Sequence, residues 1–180
     1  MNIADEEKKH FVVSSFYWAQ PSKGDVTNNN FSNQANLSIP GEIGGNLYYQ
    51  YYLKKYLLGF YSGYDFEKIN TFNTSEIESG SDVKNTDNKL HYATIGITHG
   101  FSLFDMNMNM NMNLKVSFSK IVSAQTSGTK SMAGQKCIVY YTYKPPGRFN
   151  FNVFYKHHAL SGTTNLSIDR IGFSIGILIF

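Results

Sequence analysis

His157 and Ser161 stand four residues apart in the run HHALS, and Asp169 follows shortly after. A Ser–His–acid hydrolase needs its base within hydrogen-bond reach of the hydroxyl. Positions 157 and 161 fall on one face of an extended strand, so they form a candidate pair if strand geometry persists that far, with Asp169 as the acid. His158 points to the opposite face and cannot join His157 in one catalytic or metal site. A second set, Glu42, Asp65, Glu67, Lys156, His158 and Arg170, carries both signs of charge and lies at alternate positions among polar or small residues. Enclosed together, such groups must pair or hydrogen-bond. The segment DMNMNMNMN (105–113) offers thioethers suited to soft copper. Its methionines share parity with Leu114, Val116 and Phe118, however, and Met110 and Met112 read more simply as an extension of that apolar face. Cys137 is the only cysteine, which excludes an intrachain disulfide and a Cys-rich metal centre. It reads as a thiol on the apolar face without chemistry. No metal and no cofactor is expected.

The elements that must carry these residues are strands. Read at a period of two between clusters of Gly, Pro, Asn, Asp and Ser, the chain divides into eight, at 10–20, 41–53, 56–69, 89–104, 113–124, 136–144, 149–160 and 168–180. No segment sustains a helical apolar period. The polar connections after the first, third, fifth and seventh strands (21–40, 70–88, 125–135 and 161–167) read as loops. Those after the second, fourth and sixth, such as Lys54-Lys55 and PPGR, read as turns, with the Met/Asn segment among them. An even strand number, loops at one end and turns at the other, and both termini on the turn side describe a barrel that spans an outer membrane.

Alternation is clearest in four strands. Ile43, Leu47, Tyr49 and Tyr51 oppose Glu42, Asn46 and Gln50; Ile95 and Ile97 oppose Thr94, Gly96 and Thr98; Leu114, Val116 and Phe118 oppose Lys115, Ser117 and Ser119; Phe149, Phe151, Val153 and Tyr155 oppose Asn150, Asn152 and Lys156. A water-soluble barrel would alternate too, with its apolar face inward. Three features favour the membrane. The strands reach the roughly 9–11 residues that cross a bilayer at a tilt. Tyr49, Tyr51, Tyr56, Phe101, Tyr141, Tyr143 and Phe149 gather near the turns, where rings sit at headgroup level. Gly44, Gly59, Gly63, Gly96, Gly100, Gly172 and Gly176 on the polar face make room for larger side chains in a narrow lumen. In hydrocarbon a sheet spans only if its last strand pairs with its first, which gives the closing run RIGFSIGILIF its purpose. Strict alternation there sends Ile171, Phe173, Ile175, Ile177 and Ile179 outward and Leu178 and Phe180 toward the lumen.

The whole chain resembles the small eight-stranded outer-membrane proteins of Gram-negative bacteria, a class that includes the OmpX/Ail, OmpA-transmembrane and PagL lipid A deacylase types. Arg170, Gly172, Ile175, Ile177 and the terminal Phe180 are similar to the insertion signal of such barrels. The resemblance implies an all-β, antiparallel, up-and-down transmembrane barrel over 1–180, with 1–9 as a periplasmic tail. It also implies a bacterial outer-membrane location, assembly by the barrel-insertion machinery, and contact with outer-membrane lipid and lipopolysaccharide. Deacylases of this class place His and Ser two residues apart on the penultimate strand. Here the spacing is four and the usual HxSN pattern is missing.

Composition narrows the function further. The chain has 180 residues, 16% aromatic and 16% charged, a net charge of +3 and a mean hydropathy of −0.30. No Lys/Arg cluster marks a nucleic-acid interface. MNIADEEKKH lacks the apolar core of a secretory signal, so the sequence reads as a mature chain whose signal peptide is gone. An eight-stranded barrel has room inside only for side chains, which disfavours a general porin. The expectation is a monomeric, non-enzymatic surface barrel that is structural, stabilising the membrane, and/or serves adhesion or host interaction through its extracellular loops, with a host surface ligand among its partners. A lipid A hydrolase using His157, Ser161 and Asp169 is the alternative, and an OmpW-type channel for small apolar solutes is a second.

Overall fold

Alternation along the chain becomes alternation between outside and inside in the computed structural model. It describes residues 8–28, 31–53, 58–72, 85–101, 111–126, 133–144, 148–161 and 165–179. Among the described residues ten strands form, β1 (Lys8–Ala19), β2 (Ser22–Asn28), β3 (Phe31–Ile39), β4 (Glu42–Leu53), β5 (Leu58–Phe72), β6 (Asn85–Phe101), β7 (Asn111–Thr126), β8 (Ala133–Lys144), β9 (Phe149–Ser161) and β10 (Asn165–Leu178). Eight of them, β1 and β4 to β10, pair antiparallel in sequence order, and β10 returns to β1. The protein is therefore a closed, all-β, eight-stranded up-and-down barrel. No helix occurs among the described residues.

The closing seam runs from Val13↔Leu178 to Ala19↔Gly172. It is lengthened at each end by a backbone bond, Ile179 N–H to the Val12 carbonyl (2.8 Å) and Gln20 N–H to the Ile171 carbonyl (3.0 Å). Closure leaves no free edge through the middle of the barrel, where an unpaired amide facing hydrocarbon would cost several kcal/mol. Ile171, Phe173, Ile175, Ile177 and Ile179 face outward, as alternation requires, and Phe180 lies outside the described residues. So do Tyr56 and the segment 102–110, and the side chains of Met112 and Phe101 are likewise not described.

The main departure from the sequence reading is the first connection. Residues 21–40, expected as a polar loop, contain the hairpin β2–β3. It continues β1 and β4 beyond a break at Pro21 and Pro40, between the rungs Ala19↔Glu42 and Ser22↔Ile39. Proline has no N–H to give a ladder, so the two prolines interrupt the strands at the same height. β2 then pairs the outer end of β10, from Gly24↔Ile168 to Thr27↔Asn165. β3 does alternate, with Ala35, Leu37 and Ile39 against Gln34, Asn36 and Ser38, but β2 (SKGDVTN) carries no apolar period, and its strand rests on pairing with β10.

Other boundaries move the same way. β1 begins at Lys8, inside the expected tail of 1–9, and residues 1–7 lie outside the described set. β5 reaches Phe72, β6 starts at Asn85, β7 reaches Thr126 and β10 starts at Asn165. Much of the expected loop length is thus strand, and β9 connects to β10 through only residues 162–164. The loops are less sharply sorted by length than the sequence suggested. In β7 a bulge at Val122 lets Ile121 face Tyr92 and Ala124 face Leu90, both inward. One extra residue at that point restores the inward parity for the outer end of the strand.

Candidate functional site

The outward face carries aliphatic and aromatic side chains on every barrel strand, among them Phe16, Ile95 and Phe118 at 69%, 67% and 63% exposure. The inward face is layered. At the end that holds the termini, Asn152 bonds Thr142 (2.6 Å), Ser174 (2.6 Å) and Asn150 (3.1 Å). Above this polar floor stand Tyr48, Tyr61 and Tyr140, with Phe154 against Tyr140 and edge-on to Tyr17 at 5.7 Å. Then comes the charged layer, and over it an apolar cap of Ile39, Ile69, Leu90, Tyr92, Leu160, Leu166 and Ile168.

The inward glycines explain how a narrow barrel accepts these rings. A Cβ on Gly44 would collide with the Tyr17 ring, one on Gly96 with Tyr61, and one on Gly172 with Phe154. Each ring reaches over the backbone of a neighbouring strand in a place that a glycine leaves open.

The charged layer brings Glu42, Asp65, Glu67, Lys156, His158 and Arg170 together, all fully or almost fully buried. Glu67 is the hub. Its Oε2 accepts from Tyr17 (2.6 Å), Lys136 (3.2 Å) and Lys156 (3.2 Å), and its Oε1 lies 2.6 Å from His158 Nε2. Asp65 accepts from Lys136 (3.1 Å), Thr94 (2.8 Å) and Tyr48. Glu42 holds Arg170 (2.7 Å) and Lys156. Three carboxylates thus meet the side chains of Lys136, Lys156 and Arg170, and Lys136 also lies 3.9 Å from the centre of the Tyr92 ring.

Lys136 is the member that sequence reasoning missed. Placing Cys137 on the outward face already puts Lys136 inward, but at the first residue of an expected strand it looks like a loop lysine. The tyrosines that complete the network, Tyr17, Tyr48 and Tyr92, were missed because an aromatic ring reads as apolar until its hydroxyl has an address. Ligand atoms of Glu42, Glu67 and His158 lie within 4.8 Å of one another, a spacing that could hold a metal. Both carboxylates are already committed to cations, so a divalent ion would have to displace buried ion pairs.

The hydrolase candidates separate. His157 Nδ1 lies 2.8 Å from Asp169, which also accepts from Tyr155 (2.5 Å), all on the outer surface. Ser161 instead points its hydroxyl at the Ala133 carbonyl, 3.4 Å away. β9 stays extended through Ser161, and four residues of strand separate the two by roughly 13 Å. His157 cannot take a proton from Ser161 across that distance, so the expected reach is corrected. Cys137 is half-buried and stands beside His157 in the next strand.

No protein-family model and no curated protein matches the chain. Among solved structures it is similar to neisserial surface protein A, NspA (12% identity, 94% of this chain and 98% of that one, TM-score 0.49). It is also similar to Ail, the attachment invasion locus protein of Yersinia pestis (12%, 93% and 98%, TM-score 0.43). A third likeness is to Ail in complex with the heparin analogue sucrose octasulfate (11%, 94% and 99%, TM-score 0.41). The barrel described above stands on this chain's own strand pairing, independently of these likenesses.

Proposed function

We propose that the chain is a non-enzymatic surface barrel of the bacterial outer membrane, which holds the β2–β3 hairpin and the neighbouring connections outward to meet a host surface ligand. The carrying observation is the filled lumen. Ion pairs, tyrosines and an apolar cap occupy the interior, so transport has no path and function falls to the outside. The apolar outer face supports the membrane location, since water would have to cover it at about 25 cal/mol for each Å². In β10 the outward residues Ile171 to Ile179 extend over roughly 20 Å of membrane normal at a tilt near 40°, close to the apolar band of such barrels.

The test displays the chain on a Gram-negative cell and compares it with a variant lacking residues 22–39. Loss of host-cell adherence, with heat-modifiable gel migration retained, supports the reading. Undiminished adherence sinks the role of the hairpin. Stable single-channel currents from the purified chain in planar bilayers sink the filled-lumen argument.

A further inference from the structure

The buried charges have a counterpart on the outside of the wall. Along β8, β9 and β10 the apolar outer face ends at Val139, Tyr155 and Ile171, which are neighbours in the ladder. The next outward residues, away from the termini, are Cys137, His157 and Asp169, again direct neighbours as Cys137↔His157 and Asp169↔His157. Facing side chains in such a row have Cβ atoms about 4.5–5.5 Å apart. His157 Nδ1 lies 2.8 Å from Asp169 Oδ1, and the Tyr155 hydroxyl donates to the same oxygen (2.5 Å). An imidazole whose Nδ1 is turned to β10 presents its opposite edge, with Nε2, to the side of β8, where the thiol stands. Among the described residues neither that nitrogen nor the thiol has a hydrogen-bond partner.

A thiol, an imidazole and a carboxylate in that order, with the carboxylate on Nδ1, are the parts of an activated sulfur nucleophile. His157 and Asp169 are 44% and 54% exposed, so the row is open to whatever lies against the wall. Its depth selects the electrophile. The row is the first above the apolar band in three strands at once, and in a bilayer acyl ester carbonyls lie where hydrocarbon meets headgroups. Val139, Tyr155 and Ile171 beneath it, with Phe118 beside Cys137 in β7, give acyl chains a surface to lie on.

We propose that Cys137 is an acylation site, which takes one fatty acyl group from an ester of a diacyl glycerophospholipid packed against this wall. His157 Nε2 takes the thiol proton, and the sulfur attacks the ester carbonyl carbon. The C–S bond forms, the acyl C–O bond breaks, and the glycerol oxygen leaves as an alcohol with the proton that His157 held. The products are a thioester on Cys137 and a lysophospholipid, with no change of oxidation state. Asp169 acts through His157 as a positioning residue, fixing the ring and balancing its charge during the transfer. The thiol is half-buried and flush with the wall, so it reaches the carbonyl of a two-chain lipid whose chains lie flat on the band beneath. The proposal rests on the outer-membrane reading above and adds to it a covalent modification and its acyl donor.

The experiment folds the full chain into vesicles of diacyl phosphatidylethanolamine and phosphatidylglycerol and follows it by intact-protein mass spectrometry. The expected result is a gain of one acyl chain, located on Cys137 and released by neutral hydroxylamine. Dialkyl ether vesicles, which hold no ester, should give no gain. Cys137→Ala should abolish it, and His157→Gln should slow it roughly a hundredfold, the scale of a lost general base. Asp169→Asn should slow it as well, and Asp169→Glu should restore the rate. Every variant is required to keep heat-modifiable migration. No gain by a chain inserted in ester vesicles, a gain that survives Cys137→Ala, or an unchanged rate in His157→Gln overturns the proposal while leaving the barrel in its membrane. Acylation from lipid A but not from the glycerophospholipid overturns the assigned donor. A chain that folds and stays monomeric in water without detergent would defeat the outer-membrane reading itself.

Discussion

Glu67→Gln is the substitution that most directly probes the buried layer. The amide keeps the size and much of the hydrogen-bonding capacity of the carboxylate and removes only its charge. In the native protein Glu42, Asp65 and Glu67 oppose Lys136, Lys156 and Arg170; the variant leaves two carboxylates against three cations, all buried. Breaking a buried pair by removing one partner costs about 3–5 kcal/mol, because the surviving charge keeps its desolvation penalty and loses its counter-charge. With a urea slope of about 2 kcal/mol per molar, the unfolding midpoint should fall by roughly 2 M. Trp18, the only tryptophan, sits on the outward face and reports the transfer from lipid to water by its fluorescence. Adding Lys136→Met restores equal numbers of charges, and the double variant should recover more than half of the loss, a coupling well above the additivity expected of independent sites. The reasoning fails if Glu67→Gln unfolds within 0.3 M of the native chain, on the order of 0.6 kcal/mol at that slope. It also fails if Lys136→Met makes the single variant worse.

Gly96→Val drives a branched side chain into the Tyr61 ring and the Val116 carbonyl, and should cost about 1–3 kcal/mol of overpacking in the same titration. A midpoint equal to that of the native chain would show that the ring has room to move. Ile95→Arg places a cation on the outward face, and in vesicles it should cost about 2–4 kcal/mol if that position lies near the bilayer midplane. No loss would mean that Ile95 meets water. Lipid A incubated with the purified chain should keep its full number of acyl chains by mass spectrometry. Deacylation abolished by Ser161→Ala or His157→Ala would reinstate the hydrolase.

Alternation alone determined a good deal of this protein. Ile43/Leu47/Tyr49 against Glu42/Asn46, and Phe149/Phe151/Val153 against Asn150/Asn152, specify two-faced strands, because successive residues on a strand cannot avoid opposite sides. The closing role of 168–180 followed from the same rule, joined to the need for every amide in a membrane sheet to be paired. Beyond the apolar band the outward face turns polar and the few apolar residues point inward, as Ile39, Ile69, Leu90 and Leu166 do, so the β2–β3 hairpin and the outer ends of β5, β6, β7 and β10 read as loop. Their extension depends on partners distant in sequence, as Gly24 on Ile168 shows. The same limit hid the site. Parity sends Glu67 inward, but only closure of the sheet carries Lys136, Lys156 and His158 from other strands to its oxygens. It likewise leaves Ser161 facing the Ala133 carbonyl while Asp169 comes to His157. Spacing along one strand is a matter of local backbone geometry, whereas contact across strands is set by register and shear, which only the assembled barrel fixes.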